Sequence, residues 1–187
     1  MYYHASTVGD ISILEPRISN HNIPLIYFSD KRENVLVYLS NAVEKVCKEN
    51  DFPYNGTWKK WGPYGFDKDG RMRYEEYYPN AFMETYKGVS GYIYSCKNIK
   101  EKEFSLNIPN AYVSEVENVV DGCEYIEDAY EEILKAEREG LITIMRYEEF
   151  ISRGEDWLRK VIREEYDGAI EHPEYRYFLE KKFKKYL

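Results

Sequence analysis

The chain is poor in cysteine, poor in histidine and without a long apolar run. Its three cysteines, Cys47, Cys96 and Cys123, stand far apart in 187 residues, with no C-x-x-C pair and no Cys/His ligand spacing. That excludes a disulfide scaffold, argues against zinc, and points to reduced thiols in a reducing compartment. No stretch approaches the roughly 20 apolar residues of a membrane span. The first residues also lack a basic segment followed by an apolar one, so a cytoplasmic location away from membranes is expected. A phosphate loop, a dinucleotide glycine fingerprint, a nucleophile elbow and a zinc-protease helix are missing too.

What is plentiful is acid and tyrosine. The net charge is −8, which repels a polyphosphate backbone and argues against duplex nucleic acid as a partner. The one basic run, "EKKFKKYL", carries Lys181, Lys182, Lys184 and Lys185. It reads as charge offsetting the negative end of a last helix rather than as a nucleic-acid or membrane patch. Twenty tyrosines supply large rings with wet hydroxyls, suited to a ring-lined pocket or interface. The length suits one domain, residues 1–187, burying roughly 70% of its unfolded surface.

Two short strands are expected first, "MYYHAS" and "PLIYFS", joined by the loop "ILEPRISNHNIP". From Asp30 a helix is written, with Asp30 as cap and Glu33 as its capping-box partner. Val35, Leu36, Leu39, Ala42, Val43, Val46 and Cys47 recur on one of its faces. Residues 52–80 are dense in aromatics, with turn signals at Asn55-Gly56, Gly62-Pro63 and Asp69-Gly70, and read as an ordered insertion containing a hairpin. "DKDGRMRYEE" lacks the third oxygen ligand that a calcium loop requires before its glycine, so a turn is expected there. Downstream, "NAFMETYKG" is a short helix, "SGYIYSCKN", "KEFSLNIP" and "AYVSEVENVV" are strands, and "IEDAYEEILKAEREG" is an amphipathic helix stopped by Gly140. After a brief strand, "LITIMRY", two helices follow, broken near "EHPEY". Without regular β-α-β alternation, the class expected is α+β.

The pairing of "YYHAS" with "LIYFSD" sets the candidate site. His4-Ala5-Ser6 on the first strand, Ile26-Tyr27-Phe28-Ser29-Asp30 on the second, and Tyr38 eleven residues after Tyr27 resemble the ADP-ribosyltransferase superfamily. The branch is the histidine-tyrosine one, which includes the poly(ADP-ribose) polymerases and the rifampin ADP-ribosyltransferases. The resemblance covers residues 1–40, and Val35 stands where the polymerases use a serine. It implies a split-sheet core over residues 1–145, helices appended over 146–187, and NAD as the substrate, with no metal needed. A helix begun at Asp30 has turned about twice by Tyr38, so the rings of Tyr27 and Tyr38 can flank one slot. A nicotinamide cation between two electron-rich rings is attracted as well as stacked.

The same resemblance assigns His4 to the NAD ribose and the backbone of Ala5 to the carboxamide, with Ser6 completing the cofactor-binding motif. The catalytic set would be His4, Tyr27 and an acid, Glu115 with Glu117 as its alternate, that stabilises charge as nicotinamide leaves. Glu101/Glu103 and Glu137/Glu139 show the same spacing without the strand context. The implied activity is transfer of ADP-ribose to an acceptor left open: protein, nucleic acid, small molecule or water. Two other readings stay beside it. One is an RNA 2'-phosphotransferase, disfavoured by the acidic balance; the other is a non-catalytic nucleotide-binding or protein-interaction module. His21 and His172 have no partner that the sequence identifies.

Overall fold

A run that opens on two tyrosines makes β1 (Tyr2–Ser6). The loop that follows carries two two-residue strands, β2 (Ile13–Leu14) and β3 (Arg17–Ile18), before β4 (Pro24–Ser29). A computed structural model describes the chain at all positions except residues 19–22, 56–59 and 101–106. His21, Gly56 of the Asn55-Gly56 turn, Glu101 and Glu103, and most of the strand expected at "KEFSLNIP" lie outside the described residues.

The long helix expected from Asp30 is three pieces. A single turn, α1 (Arg32–Val35), passes into a 3-10 turn at Leu36–Tyr38, and α2 (Ala42–Glu49) then starts afresh. Lys31 rather than Asp30 stands at the first cap, and no side chain caps it. The apolar positions that suggested one helix are all buried nonetheless. Periodic burial was legible; continuity was not.

The aromatic insertion contains the expected hairpin, β5 (Tyr64–Phe66) and β6 (Met72–Glu75), turning at Gly70 with φ +74°. The Asp67 carboxylate there is occupied by the backbone N–H groups of Asp69 and Arg71 and by the Arg71 guanidinium. The chain continues through α3 (Ala81–Tyr86) and β7 (Gly91–Cys96) to β8 (Ala111–Ser114). "AYVSEVENVV" is therefore not one strand. It bends after β8 and resumes as β9 (Asn118–Val119), held by Asn118, whose amide donates to Ser114 Oγ and Val116 O, both at 2.8 Å. Strand β10 (Gly122–Ile126) follows, then α4 (Ala129–Arg138), capped by Asp128. Strand β11 (Thr143–Met145) pairs parallel with β6. The long α5 (Tyr147–Gly168), interrupted at Gly154, and α6 (Pro173–Phe183) close the chain.

The class is thus mixed α+β, with several sheets. The main sheet runs β10-β7-β1-β4-β3, with β8 also on β4. β1 is fully laddered to β7, over five residue pairs, but meets β4 at one pair alone, Tyr3 opposite Ser29. Beyond that point the two strands separate. Ala5 and Ile93 sit on one side of the sheet against Leu36, Phe82 and Ile133, while Phe28, Tyr94 and Leu14 form a smaller core on the other. A third core lies between α2, Trp61, Tyr77, Tyr78 and the two C-terminal helices. Glu76 stitches it to the rest: its carboxylate accepts from Phe82 N and Tyr147 N, at the starts of α3 and α5.

The C-terminal lysines do more than offset a dipole. Lys182 pairs with Glu84 on α3 at 2.5 Å, and Lys185 pairs with Glu155 on α5 at 3.1 Å. No helix among the described residues is long and apolar enough to cross a membrane.

Candidate functional site

Where β1 and β4 part, a cleft of about 720 Å³ opens. Its size is within the range of small-molecule sites. His4, Ala5, Ser6, Tyr27 and Tyr38 all line it. Strand alternation alone would separate them. With Tyr3 opposite Ser29, His4 shares a face with Phe28, whose ring centroid is 6.0 Å from its own, and Tyr27 belongs to the other face. The gap between the strands lets residues of both faces reach one space.

His4 spans that gap. Its Nδ1 is 2.9 Å from the carbonyl oxygen of Tyr27. A carbonyl only accepts, so Nδ1 carries the proton and Nε2 of the neutral ring is left as an acceptor. Burial lowers the His4 pKa, with the positive charges of Arg17 and Lys60 adding to that effect and the Tyr27 bond opposing it. The neutral ring is the form favoured near pH 7.

Tyr38 comes from the 3-10 turn, not from a helix face. It keeps 37% of its surface exposed, yet its phenol tip is withdrawn from water. Burial pushes its pKa up, helped by the neighbouring Tyr64 and Tyr27 phenols. Position 38 is thus an open ring on a neutral, anchored hydroxyl. Its backbone oxygen accepts from Lys60 Nζ at 3.0 Å, and burial holds the Lys60 pKa below its usual value. The cleft wall therefore joins two rings, one neutral imidazole and one partly dehydrated ammonium.

Glu115 and Glu117 are exposed residues of the stretch between β8 and β9 and do not line the cleft. They follow the strand whose Val113 pairs with Tyr27. Among the described residues, the carboxylates lining the cleft are Asp10 and Glu15, and the cations are Arg17 and Lys60. Sequence reasoning passed over Glu15, Arg17 and Lys60. The first two lie in a stretch whose Pro and Ser content reads as plain loop, and Lys60 sits in the aromatic insertion. The Trp61 ring of the insertion is spent in packing, in contact with Tyr77, Phe178 and Phe183. Comparison with family models, curated proteins and solved structures finds no match to this chain.

Proposed function

We propose that the cleft binds NAD+ and that the chain transfers its ADP-ribose to an acceptor, releasing nicotinamide. The observation that carries this reading is the convergence of His4, Tyr27 and Tyr38 on one open cleft. In it the rings of Tyr27 and Tyr38 flank the nicotinamide, using stacking and the attraction of a π face for a pyridinium cation. His4 Nε2 accepts from a ribose hydroxyl, its ring fixed by the Nδ1–H bond to Tyr27 O. The backbone of Ala5, buried at the cleft wall, meets the carboxamide, and Ser6 extends that edge. As the glycosidic bond breaks, the electron pair leaves with nicotinamide, and the positive charge left on the ribose is stabilised by a carboxylate. Glu115 is the acid that the resemblance assigns, Glu117 its alternate, and Asp10 and Glu15 the carboxylates on the cleft wall. The acceptor's nucleophile then takes the sugar and gives up its proton.

A second reading has its own support. Because Glu115 and Glu117 stand outside the cleft lining, the same slot serves as an NAD-binding module without cleavage. Incubation with NAD+ followed by quantitation of free nicotinamide separates the two. Release abolished by Asp10→Asn, or by Glu→Gln at one of positions 15, 115 or 117, supports transfer and names the acid. Saturable binding without release supports the module, and absence of binding at millimolar NAD+ contradicts both.

A further inference from the structure

Beside the cleft, and sharing Lys60 with it, lies a second hollow of about 310 Å³ at the amino end of α2. The chain enters α2 through Ser40 and Asn41. Asn41 is the cap residue, yet its side chain makes no capping bond. The first-turn N–H groups of this eight-residue helix lack the side-chain acceptor that usually meets them. Ala42 and Val43 line the hollow.

The independent observation is a set of orphaned polar atoms. Ser40 is only 3% exposed, and among the described residues its Oγ has no hydrogen-bond partner. Asn41 Oδ1 and Trp61 Nε1, from two other residues of the same wall, have none either. Buried polar atoms are nearly always paired, so several in one hollow mark where a ligand completes the bonding. Lys60 adds charge: its bond to Tyr38 O uses one of the three ammonium donors. One carboxylate, Glu44, belongs to the wall, and it is ion-paired with Lys48 at 2.5 Å.

From this geometry we infer that the hollow is a site for a phosphate group. Its oxygens accept from the N–H groups of Ala42 and Val43, from Ser40 Oγ–H, from Trp61 Nε1–H and from the Lys60 ammonium, and the positive end of the α2 dipole favours the charge. Asn41 Oδ1, an acceptor, requires a donor, which the P–OH of a protonated phosphate supplies. Carboxylate and sulfate at neutral pH offer none. The phosphate is therefore inorganic phosphate or the phosphate of a monoester, since the pyrophosphate of a dinucleotide keeps no P–OH at neutral pH.

Titration of the whole chain with inorganic phosphate at constant ionic strength, followed by two-dimensional amide NMR, tests this without depending on NAD chemistry. Saturable shifts are expected at Ser40, Ala42, Val43 and the Trp61 indole, with sulfate at least tenfold weaker. Lys60→Gln is expected to weaken binding at least tenfold while the spectrum stays dispersed, and Ser40→Ala to weaken it less. Shifts linear in concentration or reproduced by chloride, sulfate binding as tight as phosphate, or a folded Lys60→Gln variant of unchanged affinity would overturn it. Repeating the titration with NAD+ present is expected to show joint occupancy, whereas displacement of phosphate from the hollow by NAD+ would overturn the requirement for a P–OH donor.

Discussion

The two ends of the molecule use the same side chains for opposite purposes. Under the C-terminal helices, Tyr78, Tyr175 and Tyr186 are buried against Phe178 and Phe183. Their rings pack on those two phenylalanines. At the parted strands, Tyr27 and Tyr38 present rings to an open cleft while the Tyr38 hydroxyl is drawn into the wall. Burial raises the phenol pKa of Tyr78 and of Tyr38 alike, so ionisation does not separate the two settings. What separates them is backbone geometry. Helices bring rings together, whereas two strands that pair once and diverge hold rings apart.

The largest effect expected from this contrast is on stability. Phe178 is fully buried among Trp61, Tyr78, Tyr175 and Phe183, so Phe178→Ala should cost about 3–5 kcal/mol in urea unfolding. The folded fraction should keep its NAD+ affinity. Tyr38→Ala should reverse the pattern. Loss of a stacked, cation-facing ring should weaken NAD+ binding by about 1–2 kcal/mol in calorimetry, with stability changed by less than about 1 kcal/mol.

His4 supplies a pH signature. Its folded pKa lies below the unfolded value of 6.5, so the unfolded chain binds more protons in that window. Stability is then fully present above pH 6.5 and is lost as pH falls from there through the folded pKa. His4→Gln should remove that part of the slope in unfolding curves measured between pH 5 and pH 7, a window chosen to bracket the usual histidine pKa. Smallest of all, Arg32 pairs with Glu124 at 2.6 Å and Glu132 at 2.9 Å, in partly exposed settings. Arg32→Ala should cost about 1 kcal/mol or less, and added salt should shrink the difference.

Much of this was legible in the chain, because strong local signals met no opposition. The strands at Tyr2–Ser6 and Pro24–Ser29, the hairpin turn at Gly70 and the helix from Ala129 with its stop at Gly140 all follow from composition, capping and left-handed glycine. The helix from Asp30 failed for an identifiable reason. Its apolar period is satisfied equally by a helix, a 3-10 turn and a second helix, and Ser40-Asn41 is a cap-type pair that lets the backbone restart. Strand β10 escaped notice because an edge strand carrying Glu124 amid exposed neighbours has no buried alternation to read. The rings of the candidate site were visible as residues, but the cleft was not. It comes from the single pairing of β1 with β4, a long-range relation that neither segment encodes alone.

The central test is the structure of the chain with NAD+ bound. The expected result is a nicotinamide ring between the rings of Tyr27 and Tyr38, at stacking contact of about 3.5–4.0 Å, with His4 Nε2 on a ribose hydroxyl. A dinucleotide lodged elsewhere, or a cleft that stays empty under saturating NAD+, would contradict the proposed role of the parted strands.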